Sequence, residues 1–193
     1  MYEYPDLRVV KTKNKIRQVF LELLKTTSFY KMNVMDIVEC AEINRGTFYR
    51  HYSSKEALLE EIIVGLIEEF TKHSLAPLQG KKQVHPNELR AESIILFDHI
   101  YTYATYYKTL IASDVSFLFI DKLTLNFKNV LKDRIKRGKS DINEDLAIHY
   151  IVYAILGMIV EWVKSDFAYS SRYMSEQLMM ISLKIHSEIM YPM

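Results

Sequence analysis

Residues 33–61, NVMDIVECAEINRGTFYRHYSSKEALLEE, decide how this chain reads. Asn33 suits a helix N-cap, with Asp36 three positions on as a variant capping box, and Val34, Ile37, Val38 and Ala41 recur at helical spacing. That helix has room for only about eight residues before Glu42-Ile43. Asn44 is again a good N-cap, now for a third short helix through Tyr52. Ser53 with Glu56 marks the start of a fourth, whose Leu58, Ile62, Leu66 and Phe70 carry an i+4 stripe. Helices this short do not persist alone, because nucleation is costly and few bonds follow it. They require neighbours to pack on.

Upstream, residues 8–27 supply one: Ile16, Phe20, Leu23 and Leu24 form a single apolar stripe, and a break at Ser28–Met32 follows. Two short helices joined by a tight turn inside a three-helix core make a helix-turn-helix. Downstream, residues 76–90, APLQGKKQVHPNELR, gather two prolines and a glycine and read as a hinge or loop. Helical patterns then cover about 88–112, 115–137, 142–165 and 172–190, with breaks at Ser113-Asp114, at 136–141 and at 167–172. No strand-like alternation stands out. The expected fold is all-α, with a three-helix helix-turn-helix domain over 1–55 and a larger helical body over 56–193.

Composition agrees. Of 193 residues 49% are apolar, so a core can form, and five Gly with four Pro favour long helices over many turns. The single Cys40 excludes an internal disulfide or a cysteine zinc site and suits a reducing compartment; at the end of a short helix it is expected to be a small packing residue. Met1 to Leu7 carries two acids and a proline before any apolar run, so no secretion signal is expected and the cytoplasm is. The longest charge-free apolar run, Ala147 to Val160, has 14 residues, short of the about 20 that span a bilayer, and predicts a buried helix and no membrane partner. Residues 1–55 hold ten Lys/Arg against six Asp/Glu, leaving 15 against 18 in the rest. A basic head on a mildly acidic body suits a polyanion at one end. There is no His-Glu-x-x-His, no Glu-x-x-His pair and no glycine-rich phosphate loop. The six histidines (51, 73, 85, 99, 149, 186) lack ligand spacing, so no catalytic residue, metal or cofactor is expected.

A recognition helix meets the major groove with its N-terminal residues. Arg45 can donate a bidentate pair to guanine, Gly46 gives clearance, and Thr47 offers a hydroxyl or a methyl for thymine. Phe48 and Tyr52, four apart, take the core face, which turns Tyr49, Arg50 and His51 outward. Lys55, opening the next helix, suits a phosphate. Asn33, Met35 and Asn44 complete the candidate DNA-facing set. One exposed Tyr-Arg-His cluster by itself is also what a solvated helix face looks like; the three spaced helices, the tight turn and the basic head favour double-stranded DNA.

Residues 34–62, VMDIVECAEINRGTFYRHYSSKEALLEEI, resemble the TetR/AcrR family of one-component transcriptional regulators, with Ala41, Ile43, Gly46, Thr47, Tyr49, His51, Lys55 and Leu58 where the family pattern places them. The resemblance implies an all-helical homodimer with three N-terminal DNA-binding helices and a C-terminal ligand-sensing, dimerising body. It implies base contacts at 45, 46 and 47, and phosphate contacts from Tyr49, His51 and Lys55. Two positions depart from it. Glu42 replaces the turn glycine, so left-handed backbone there would be strained and an acid would lie near DNA. Phe29-Tyr30 replaces Gly-Phe. Further on, LFDHIYTYATYYKTLI (96–111) and HYIVYAILGMIVEWVKSDF (149–167), with their Gly157…Glu161-Trp162 spacing, resemble the dihydroxyacetone-kinase regulator subgroup. That subgroup contains a coactivator working with a partner protein, so the direction of regulation does not carry over. The expectation is a repressor bound to operator DNA as a homodimer and released by a small-molecule effector. The alternative is a coactivator or adaptor of the same fold that acts through a protein partner.

In the body, His99, Tyr103, Tyr106 and Tyr107, with Phe117, Phe119, Tyr153 and Trp162, could line an effector cavity with polar handles; a tight core with tyrosine hydroxyls in water fits them equally. Ile151, Ile155, Met158, Ile159 and Trp162 form one apolar stripe, and Leu178, Ile181, Leu183 and Ile185 another. Both fit a four-helix dimer interface, and both fit plain core helices.

Overall fold

The computed structural model describes residues 7–75, 95–132 and 143–190, with side chains described to residue 72 in the first segment and 182 in the last. Every described element is a helix: α1 (Leu7–Leu24), α2 (Val34–Cys40), α3 (Arg45–His51), α4 (Lys55–Leu75), α5 (Leu96–Thr102), α6 (Ala104–Ala112), α7 (Ser116–Lys132), α8 (Glu144–Lys164) and α9 (Ser171–Met190). The expected loop at 76–90, the break at 136–141, and the side chains of Leu183 and Ile185 lie outside the described residues. Two compact units divide the rest. One runs to Leu66 and takes in Thr109–Phe119; the other holds Ile67–Lys108 and continues from Ile120. The boundary between these compact units falls inside α4.

In the first unit α1 buries Ile16, Phe20, Leu21 and Leu24, and packs on α2, which packs on α3. The two seven-residue helices are fixed at their starts by side chains. Asn33 Oδ1 accepts from Met35 N at 2.8 Å and Asp36 N at 3.2 Å, while Asp36 Oδ2 accepts Asn33 N at 2.8 Å, closing the expected capping box. Asn44 Oδ1 accepts from Thr47 N at 2.7 Å. Ser54, not Ser53, caps α4, its hydroxyl accepting from Ala57 N at 3.2 Å. The corner between α6 and α7 belongs to this unit: the Asp114 carboxylate accepts from Ser28 Oγ at 2.5 Å and Phe29 N at 3.1 Å, pinning the loop after α1.

In the second unit α5 packs against α9, and α8 buries Ile148, Val152, Leu156, Ile159, Trp162 and Val163. Of the helix expected over 88–112, the described part (95–112) holds two helices, interrupted at Tyr103 without a proline or glycine. After α8, Asp166 (φ 57°) and Phe167 (φ 59°) turn left-handed; Phe167 N donates to Trp162 O at 2.9 Å and its ring meets the Trp162 ring edge-on at 4.8 Å. With its charged ends included, α8 is 21 residues long and, by length and composition alone, the one described helix that could cross a membrane. Core helices pass the same test, and one face of α8 is core. Cys40 is exposed, so it is not the packing residue expected.

Candidate nucleic-acid interface

Phe48 in α3 and Tyr52 at its C-cap take the core face as their spacing predicts, whereas His51, expected outward, is half-buried. Phe48 is 0% exposed, its ring 5.6 Å from that of Tyr49 and 5.8 Å from that of Tyr52, which is also buried. Arg45, Gly46, Tyr49 and Arg50 are exposed, while Thr47 and His51 are half-buried. The Arg45 guanidinium lies 5.4 Å from the centre of the Tyr49 ring, a cation–π contact that holds both on the outer face. Gly46 is informative because the protein does not require it. A Cβ there would meet only Asn44 Oδ1 at 3.5 Å, an ordinary contact.

Several expected contacts are engaged within the protein. Asn33 and Asn44 use their side-chain oxygens as caps, and Thr47 Oγ1 donates to Asn44 Oδ1 at 2.9 Å. Met35, by contrast, is exposed. Lys55 departs from the phosphate-facing geometry expected. Its largely buried ammonium donates to Phe29 O at 2.7 Å and Met32 O at 2.6 Å, over the Phe29 ring at 4.6 Å.

Behind α3 lies a charged support that the sequence reading missed. Tyr52 OH donates to Glu61 Oε1 at 2.7 Å, Arg17 reaches the same oxygen through Nε at 3.1 Å and Nη2 at 2.6 Å, and Lys13 Nζ pairs with Oε2. The visible signal was two like charges four apart on α1, an arrangement that repels unless it shares an acid. Partial burial pushes the Glu61 carboxyl up, but the bonds from Lys13, Arg17 and Tyr52 outweigh it and hold it at about 2. Burial, reinforced by the bond to Glu61, pushes the Tyr52 phenol up.

A depressed carboxyl stabilises the fold above its ordinary value of 4.5 and loses that contribution as pH falls from there toward 2. Since Glu61 is about one-third exposed, solvent screening reduces the effect to about 1–2 kcal/mol. The melting temperature of the parent should therefore fall more between pH 5 and 2 than that of Glu61→Gln; parallel curves would remove the network from the stability of the head.

With Lys15 bonded to Glu42 and Lys25 to Glu22, the protein itself holds Lys13, Lys15, Arg17, Lys25 and Lys55. At least half of the ten cations of the head are thus paired within the protein, Lys15 and Lys25 at exposed positions, and α3 contributes Arg45 and Arg50 to the outer face.

The effector candidates separate into groups. The buried His99 ring lies 4.7 Å from that of Tyr103, 6.0 Å from that of Tyr107 and 5.6 Å from that of Phe70, which in turn lies 4.9 Å from Phe127. Tyr106 meets Tyr103 at 6.1 Å. Trp162 belongs to another aromatic group, with Phe97 at 5.4 Å, and its indole Nε1 donates to Tyr169 O at 2.9 Å. Phe119 is buried in the first unit. Tyr153, 58% exposed, and Phe117, 83% exposed, line no interior. Among the described residues, no group of three His, Cys, Asp or Glu could hold a metal ion.

Comparison with known proteins matches residues 18–62 to the model for bacterial regulatory proteins of the tetR family, and 87–184 to a transcriptional regulator C-terminal region. Two relatives from Bacillus subtilis are uncharacterised HTH-type transcriptional regulators. YxbF is 36% identical over 69 residues, 35% of this chain but 18% of that protein; YvdT is 28% identical over 142 residues, 73% of this chain and 70% of that protein. The chain thus spans less than a fifth of the length of YxbF. A TetR transcriptional regulator from Streptococcus agalactiae is 24% identical and aligns with 90% of this chain and 94% of its own at a TM-score of 0.61. The dihydroxyacetone kinase operon activator DhaS is 19% identical and aligns with 91% and 98% at 0.58. At these identities the two structures speak for the fold alone. The C-terminal match covers half the chain, the N-terminal match covers the helix-turn-helix, and the chain belongs to the TetR family of transcriptional regulators, a family of regulators and not of enzymes.

Proposed function

We propose that the chain is a ligand-responsive transcriptional repressor, a cytoplasmic homodimer that lays α3 into the major groove of operator DNA. One observation carries this reading: α3 buries Phe48 and Tyr52 while presenting Arg45, Tyr49 and a glycine for which the protein's own packing has no use. The demand for Gly46 then comes from outside, where a side chain would hold the helix away from base edges. With its hydroxyl bonded to Asn44, Thr47 is left to contact DNA through its methyl group. Lys55 acts by positioning, and Tyr49, Arg50 and His51 face the backbone phosphates.

Residues 1–55 form the reading head and 56–193 the sensing and dimerising body. On α8 the exposed stripe is Leu146, Tyr150, Tyr153 and Gly157, where a Cβ would meet nothing within 4 Å, and α9 exposes Tyr173, Met180 and Ile181. That outward face, in place of the stripe through Ile159 and Trp162, suits a second copy. The cluster around His99 is the candidate effector site, and α4, continuous through both compact units, the lever.

Selection from random duplexes tests the reading. A two-fold dimer should enrich a pseudo-palindrome with half-sites about one helical turn or a multiple apart, and enrichment of no sequence contradicts it. Tyr49→Phe should weaken binding to all duplexes alike by about 5-fold, the worth of one hydrogen bond; a loss confined to one base position would reassign Tyr49 to base reading. The internal pairing of half the head's cations favours a second reading, an adaptor that acts through a protein. Counterion release makes duplex affinity fall steeply with salt, so failure to bind duplex DNA with such a slope would select the adaptor.

A further inference from the structure

The turn ahead of α3 holds an acid where the backbone favours glycine. Glu42 has φ 50°, its side chain is 81% exposed, and its carboxylate accepts from Lys15 Nζ at 3.0 Å; Lys15 is itself 47% exposed. We propose that Glu42 is a built-in brake on DNA affinity, cancelling the charge of Lys15 beside the groove-reading helix. The inference rests on α3 being the helix that meets DNA.

The fold has little use for an acid here. Left-handed backbone is served better by glycine, and an ion pair between two exposed side chains contributes little stability. Position gives the charge its effect. Glu42 stands three residues before Arg45, and three residues of chain span at most about 11 Å. That upper bound is about one screening length at physiological salt (about 8–10 Å), so the carboxylate is only partly screened from charge around Arg45. Removing it also releases Lys15, which adds a cation to the same end of the molecule. A brake of this kind is indifferent to sequence, lowering the grip on all duplexes while base discrimination stays with α3.

The test uses the full chain, mixed-sequence duplex DNA and a series of salt concentrations. Glu42→Gln should raise affinity for every duplex roughly 2–5-fold and steepen the salt slope by about one. Glu42→Gly should do the same and raise the melting temperature by roughly 2–4 °C, because it also relieves the backbone. Lys15→Ala should cost more affinity in the Glu42→Gln background than in the parent. Unchanged affinity and slope in Glu42→Gln, or an equal cost of Lys15→Ala in both backgrounds, overturns the brake while leaving DNA binding intact. If neither the parent nor any variant binds with a negative salt slope, both the brake and the DNA reading fall.

Discussion

Phe48→Ala should destabilise the reading head by about 3–5 kcal/mol, the range for removing a fully buried phenylalanine. The ring is 0% exposed and makes the contacts that keep a seven-residue helix from fraying. Neither the Asn44 cap nor the intrahelical bonds could hold α3 alone. Against a total stability of about 5–15 kcal/mol, such a loss is severe. Hydrogen exchange should show it directly, as lost protection of the α3 amides together with lost binding to any duplex. Protection within a factor of a few of the parent would mean that α3 is held by something other than this ring.

Lys55→Ala should be the next most damaging change in the head, and its signature separates two roles. The ammonium holds the carbonyls of Phe29 and Met32, in the loop between α1 and α2, at the first residue of α4. Hydrogen bonds from a charged donor are worth about 1.5–3 kcal/mol each, and the two share one group, so a loss of about 2–3 kcal/mol is expected. Binding should weaken for all sequences, because the loop and the start of α4 loosen together. The salt slope of the residual binding should stay that of the parent. A phosphate ligand would behave in reverse, with stability retained and the slope reduced by about one.

Much of the head was legible in the sequence because its signals are local. N-caps at Asn33 and Asn44, the apolar positions of α2 and the four-residue interval from Phe48 to Tyr52 each act within a turn or two, and the structure places them as those intervals predict. The left-handed turn at Glu42 was implied by the family resemblance and not by the residue itself, and its φ is positive. The partners of charged side chains were not legible. Glu61 lies 48 residues from Lys13 and 44 from Arg17, and Asp114 lies 86 from Ser28. No periodicity within one helix reveals such pairs. The count of basic residues accordingly did not show which of them are paired, and Lys55, expected at a phosphate, donates to the carbonyls of Phe29 and Met32. In the body, the break at Tyr103 was invisible because the apolar pattern runs through it. The aromatic residues grouped as one effector site separate because an aromatic on a helix has the same spacing whether it faces a core or water, as Tyr153 shows.

The central claim is that Arg45 reads a base from the first turn of α3, and base-resolved affinity of Arg45→Ala tests it most directly. The selected operator and its single-base variants would be titrated against the parent and the Arg45→Ala chain. Loss of one bidentate pair should erase discrimination at one position per half-site, worth about 1–3 kcal/mol or roughly 5–150-fold, with preference elsewhere retained. An equal loss of affinity for every variant, with all preferences intact, would contradict the account and make Arg45 a phosphate contact.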